Sequence, residues 1–223
     1  MATDQNEGGW GRHHGGMPDL HLVLASASPA RLALLRAAGI EPEVVVSHVD
    51  EDAVAAALGT DDPDRVVAAL ARAKAEAVVA QVGQLARPTA VLGCDSLFTF
   101  AGTTWGKPGS AAEATARIRA MRGGEGVLRT GHHLVEVSSG RAVGGVEATT
   151  VRFGPMTDAE VDRYVASGEP LHVAGSFTLD GRSAPFVDGV DGDHTNVVGL
   201  SLPLLRRLLA DLGRSVTDLW TSP

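Results

Sequence analysis

Arg31 stands in the first turn of an expected helix, where the positive end of the helix dipole favours an acid over a base. It lies in LVLASASPARLALLRAAGI, residues 22–40, where a short apolar run stops, Ser28 offers an N-cap and Pro29 suits the first helical position. Free N–H groups, a hydroxyl and a guanidinium together make an anion site, above all for phosphate. The other reading is a capped helix with a solvated arginine. Lys74 is the second misplaced charge. With Val67, Leu70 and Val78 it forms one helical stripe, so it interrupts an apolar face. It either snorkels to the surface or meets a buried anionic partner, protein or ligand.

Carboxylates stand out in the same way. In AVLGCDSLFTF, residues 90–100, Asp95 ends a run with the character of a buried strand, and Ser96 follows. Strand ends border the ligand crevice in α/β sheets, although an aspartate there also suits the capping of a turn. Val49-Asp50-Glu51-Asp52 precedes a helix and serves either the helix dipole or a Mg²⁺ ion as oxygen ligands. WGKPGS, residues 105–110, carries Lys107 between a glycine that permits close backbone approach and a proline that stiffens the exit. That lysine is within reach of a phosphate or simply solvated. Three cations, a helix N-terminus and at least two carboxylates are what metal-assisted nucleotide hydrolysis needs.

Several other chemistries are excluded. Neither G-x-x-x-x-G-K-[ST] nor G-x-G-x-x-G is present, and the G-x-S-x-G elbow is missing. Leu97 stands where an aspartyl phosphatase would carry its second aspartate. The loop with Asp191, Asp193 and Asn196 lacks the register and terminal glutamate of a calcium loop. Cys94 reads as a small buried side chain, and as the single cysteine it rules out an intramolecular disulfide and a cysteine-rich zinc site.

The elements that must position these residues alternate. Strands are expected near 20–25, 89–94, 129–138, 142–153, 172–179 and 184–190, with an extended stretch at 42–47 and a hairpin beginning at 97–100. Helices are expected at 29–38, 50–58, 63–82 and 202–212, and after Ser110 and Thr157, each with a glutamate three residues on as a capping box. This order predicts an α/β (mixed α+β) fold around a twisted mixed sheet. Residues 18–213 read as one domain, 1–17 as a disordered tail with solvated His13 and His14, and 214–223 as a C-terminal tail. Met17 reads as an alternative start. The net charge of −8 argues against coating nucleic acid. No apolar run is long enough for a membrane span, and the N-terminal residues lack the pattern of a signal peptide. A cytoplasmic location is expected.

The spacing resembles one family, the Maf nucleotide pyrophosphatases. The resemblance runs from Leu20 to about Leu209 through SASPAR (26–31), VDE (49–51), ARAK (71–74), GCDS (93–96), GKP (106–108), TGHH (130–133), SGEP (167–170), AGSFTLDG (174–181) and NVVGLSL (196–202). It implies a Maf/anticodon-like fold with a central twisted mixed sheet, flanking helices and a deep cleft. It also implies hydrolysis of nucleoside triphosphates to monophosphate and pyrophosphate with a divalent cation, Mg²⁺ or Mn²⁺, and a homodimer. Carried over by residue, Asp95 accepts the proton of the attacking water. Ser28, Arg31, Lys74 and Lys107 surround the triphosphate, and Glu51 with Asp95 holds the metal. Glu169 and Asn196 match motif positions without an assigned role.

Three positions depart from the pyrimidine-specific branch that the family resemblance brings: Ala30 for arginine, Ser96 for threonine and Asp180 for glutamine. An ionised Asp180 accepts hydrogen bonds but donates none, so it cannot read a base as glutamine does. The base therefore stays open, and modified nucleotides, a house-cleaning role, are within reach. The family's other name, septum formation inhibitor, leaves an alternative: a nucleotide-binding regulator of division that acts through a partner without turnover.

Overall fold

A computed structural model describes residues 20–83 and 87–220. The tail with His13, His14 and Met17 lies outside the described residues. In chain order the elements are β1 (His21–Leu24), α1 (Pro29–Ala37), β2 (Glu43–Val44), α2 (Glu51–Leu58), α3 (Pro63–Val82), β3 (Thr89–Phe100), β4 (Thr103–Trp105) and α4 (Ala111–Met121). They continue with β5 (Glu125–Glu136), β6 (Ala142–Phe153), α5 (Asp158–Ala166), β7 (Val187–Asp191), α6 (His194–Val198) and α7 (Leu202–Asp211). Seven strands form one mixed sheet in the order β2-β1-β3-β5-β6-β7, with β4 also on β3. Pairs β1–β2 and β1–β3 are parallel and the remainder antiparallel.

The long strand β3 organises the molecule. One of its edges is paired with β5 from Ala90 to Phe100. The opposite edge carries β1 only as far as Leu92 and β4 only from Phe98. Residues 93–97 are thus open on that edge, and Asp95 sits in the gap. The expectation that Asp95 ends a strand is corrected: β3 runs through it without a break, because the hydrogen bonds of β5 override the polar interruption.

Alternation along β3 sorts its side chains onto two faces. Val91 packs with Val23, Ala75 and Val78 under α3, while Leu92 and Cys94 join Leu35, Leu205 and Leu209 under α1 and α7. Farther along, Phe98 meets Phe153, Phe177, Ile118 and Val161 in a second lobe. Helix α3 starts at its Asp62 cap with Pro63 in the first turn and buries Val67, Leu70, Ala71, Lys74, Ala75 and Val78. It lies unusually close to the sheet. A Cβ at Gly93 would overlap the Ala71 carbonyl and one at Gly131 the Val67 carbonyl, so glycine is required at both crossings.

Several local expectations need correction. The strand expected at 184–190 begins only at Val187, after a 3₁₀ turn at Ala184–Phe186, and Asn196, expected in a loop, lies in α6. Residues 172–179 form no strand: 3₁₀ turns cover Glu169–His172 and Ala174–Ser176, and Gly175 and Ser176 have φ of +74° and +62°. A left-handed pair of this kind cannot lie in a ladder. The extended stretch at 42–47 shrinks to the two-residue β2. Ser110 caps α4 by accepting from the Glu113 N–H, but the Glu113 carboxylate reaches Gly109 N instead of closing a capping box. The box at Thr157 and Glu160 does form. Residues 214–220 pack back on the body, with Leu219 buried and Ile40 bridged to Trp220.

Candidate active site

Lys74 does not snorkel. It is 8% exposed, and its Nζ lies 2.6 Å from Asp95 Oδ1 and 2.7 Å from Glu51 Oε1. Helix α3 presents it one turn beyond Leu70, and the closeness allowed by Gly93 brings its ammonium to the next same-face residue of β3, Asp95. Glu51 arrives from the first turn of α2, whose Asp50 cap accepts from Ala53 N. Two carboxylates and one ammonium therefore meet at the open edge of β3. Burial raises the Asp95 carboxyl above the ordinary range, while Lys74 and, less strongly, Arg31 pull it down. The result is a carboxylate more basic than a solvated aspartate, in the right direction for a proton acceptor near neutral pH.

Arg31 approaches the same gap from the first turn of α1. Nε donates to Gly199 O at 2.7 Å, one terminal nitrogen donates to Ser26 Oγ and Cys94 O, and the other donates to Ser96 Oγ at 3.0 Å. Cys94 O is a carbonyl that a continued β1 would have used. Four of the five guanidinium N–H groups are thereby engaged within the protein. Arg31 contributes a buried, fixed charge rather than a free fork. Ser28 accepts from Arg31 N at 3.4 Å as the α1 cap, and Ala30 follows Pro29 in the same turn.

Ser96 points to the face opposite Asp95. Its hydroxyl pairs with Thr130 Oγ1 at 2.9 Å, which in turn contacts Asn196 O. His132 lies beneath this network, 1% exposed, with Nδ1 facing Thr130 O and Nε2 accepting from Ser201 N at 2.8 Å. Burial, aided by the Arg31 charge, pushes its pKa down to about 4, so the ring is neutral and its tautomer fixed. It anchors the Gly199–Ser201 turn that supplies the Arg31 acceptor. The Cys94 thiol is fully buried and pushed up to about 11, which suits a core residue and not a nucleophile.

Lys107 and Asp180 are exposed and touch neither carboxylate of the Lys74 group. Their loops meet each other instead, through Gly175 N donating to Gly106 O at 3.3 Å. Glu169 holds the Asp180 loop, accepting from Thr178 Oγ1 at 2.6 Å and Arg182 N at 2.9 Å. Asn196 is fully buried and donates to Leu128 O, Glu147 O and Thr149 Oγ1, tying α6 to β5 and β6.

Sequence reasoning missed the Ser26, Thr130 and Gly199 partners of this framework, as well as Arg117. Arg117 had no signal beyond lying four residues from Glu113, a common surface spacing. A small apolar pocket lies in the second lobe, lined in part by Met121, Phe153, Met156 and Phe177. It shares no residue with the Lys74 group, and such walls suit no triphosphate.

Among the described residues no group of three or more His, Cys, Asp or Glu side chains converges as a metal site. Glu51 and Asp95 nevertheless aim hard oxygen donors at one point, now filled by an ammonium. One or two carboxylates completed by phosphate and water oxygens is the usual donor set for Mg²⁺. The residues present fit such an ion.

The family model described as Maf-like protein matches residues 21–212. A nucleoside triphosphate pyrophosphatase of Streptomyces coelicolor is 59% identical over 203 residues, covering 91% of this chain and 96% of that protein. The nucleoside triphosphate pyrophosphatase of Streptomyces avermitilis is 54% identical over 204 residues, covering 92% and 96%. That of Saccharopolyspora erythraea is 52% identical over 208 residues, covering 92% and 99%.

Proposed function

The chain belongs to the Maf family, and on that premise we propose that it is a nucleoside triphosphate pyrophosphatase working at the open edge of β3. The reaction splits the bond between the α- and β-phosphates and releases a nucleoside monophosphate and pyrophosphate. The observation that carries the reading is the buried Lys74 ammonium shared by Asp95 and Glu51. A fold has little reason to bury a lysine between two carboxylates, since desolvation offsets the attraction. A site that must receive a polyanion gains from the arrangement, because the lysine offsets the repulsion of the carboxylates.

Asp95 takes the proton of the attacking water, its basicity raised by burial. Lys74 holds Asp95 in orientation and offers its charge to the phosphates. Arg31 adds a fixed positive field and, through Cys94 O and Ser96 Oγ, holds the gap in β3 to shape. Lys107 is exposed and without an ion-pair partner among the described residues, so its ammonium is free to meet the β- or γ-phosphate. Ser28 and the α1 N-terminus supply further donors. Glu51 and Asp95 would hold a Mg²⁺ or Mn²⁺ ion, which when bound supplies charge neutralisation to the phosphate oxygens. Ala30, Ser96 and Asp180 border the base, and the altered residues at these positions favour a range wider than pyrimidines alone. A homodimer and a cytoplasmic setting accompany this reading.

The test is pyrophosphate release by the pure protein from a panel of ordinary, methylated and deaminated nucleoside triphosphates with Mg²⁺. Release is expected, with Asp95→Asn lowering it by about 10²–10³-fold while the circular dichroism spectrum is retained. Tight binding without release would establish the regulatory alternative. Full activity in Asp95→Asn would remove the assigned base.

A further inference from the structure

Lys107 has no side-chain partner of its own among the described residues, so only the backbone of its loop can place it. That loop is gripped from α4 at both ends. Arg117 donates from one terminal nitrogen to Gly106 O at 2.8 Å, the carbonyl immediately before Lys107. Glu113 accepts from Gly109 N at 2.7 Å, the first amide N–H after Lys107, since Pro108 has none. The two side chains are joined to each other through the second terminal nitrogen of Arg117 and Glu113 Oε1. The guanidinium also lies 5.4 Å over the Trp105 ring, the residue that closes β4 against Phe98. Although it belongs to a surface helix, the Arg117 side chain is only 12% exposed.

The geometry points to Glu113 and Arg117 as positioning residues for Lys107, a clamp that fixes the peptide groups on either side of it. An ordinary i, i+4 pair stabilises its own helix and leaves neighbouring loops alone. Here each member spends a further hydrogen bond on the loop. Because the pair is neutral as a unit, its effect on Lys107 is one of place, not of charge. Gly106 O also accepts from Gly175 N, so the clamp holds the loop with Lys107 against the loop with Asp180. Phosphate and base ends of the site are thereby set relative to one another. The proposal rests on the pyrophosphatase reading for its catalytic meaning.

A double-mutant cycle between Arg117→Met and Lys107→Met tests it, since residues acting through one another are non-additive. The readouts are kcat/KM for pyrophosphate release and the affinity for inorganic tripolyphosphate, a probe with no base, measured by calorimetry. Arg117→Met is expected to lower both by roughly tenfold in the native background and by less than about twofold when Lys107 is already Met. Glu113→Ala, which keeps the helix and its Ser110 cap, is expected to follow the same pattern and decides the matter if Arg117→Met fails to fold. Equal losses in both backgrounds, or none beside a lowered Tm, would show a purely structural pair and overturn the inference. A native protein that binds tripolyphosphate but releases no pyrophosphate would refute the enzymatic reading, while the binding cycle would still decide the clamp.

Discussion

Replacing Lys74 with methionine separates electrostatics from packing at the centre of the site. Methionine keeps most of the buried stem but removes the ammonium. Asp95, 7% exposed, then loses its 2.6 Å partner. Breaking a buried pair by deleting one member costs about 3–5 kcal/mol, because the other charge is left uncompensated. The lower end, about 3 kcal/mol, is expected here for two reasons. Glu51 has a side chain 55% exposed, so its pairing is worth little and its loss is screened by water. Asp95 itself can escape by taking up a proton. That escape gives the experiment its sign. Burial already raises the Asp95 pKa, and Lys74 is the largest influence opposing it. In Lys74→Met the folded-state pKa rises further above the unfolded value. The penalty is therefore small at low pH and grows as pH rises through the folded pKa. Urea denaturation from pH 5 to 8 is expected to show the variant falling progressively farther below the native protein as pH increases. In the same variant the acidic limb of the pH–rate profile moves upward, and turnover falls by about 10²–10³-fold. A stability difference constant across that pH range would refute the reasoning, since Asp95 would then not be the group that Lys74 compensates.

Gly93→Ala asks whether the close crossing of α3 places the lysine. The added methyl would overlap Ala71 O and stand 2.8 Å from Ala75 N, so the helix must shift outward. Overpacking of this kind typically costs about 1–3 kcal/mol, and turnover is expected to fall more than stability does, checked by paired urea and pyrophosphate assays. His132 predicts an acid limb of stability. Its native pKa of about 4 lies below the unfolded value near 6.5, so stability declines as pH falls from about 6.5 to about 4, by up to about 3 kcal/mol. His133, held low by burial, adds to the same slope. In His132→Asn most of this pH dependence is expected to vanish from the denaturation midpoints.

Much of the candidate site was legible because misplaced charges are visible without coordinates. A lysine on the stripe of Val67, Leu70 and Val78, an arginine in a first turn and an aspartate inside an apolar run each contradict local preference, and all three meet the same stretch of β3. Long helices were equally clear. Asp62 and Pro63 open α3, and the period of its apolar residues carries it to Val82. Other features depended on partners far away in the chain. Asp95 and Ser96 looked like the end of a strand, yet eleven consecutive residue pairs with β5 carry β3 through them. Residues 172–179 looked extended, yet left-handed backbone at Gly175 and Ser176 folds them into the loop that meets Gly106.

Residue type and period by themselves determined where α1 to α5 and α7 start, which face of α3 is apolar and which charges lack a local purpose, since these follow from interactions within a few residues. The short α6 was read as a loop. Only the tertiary structure decided that Lys74 is paired rather than solvated, that Arg31 spends its donors on Gly199, Cys94, Ser26 and Ser96, and that Glu113 and Arg117 grip the Lys107 loop. Each of those outcomes depends on how closely separate elements approach, and that distance is set by glycine crossings and strand pairing between segments remote in sequence.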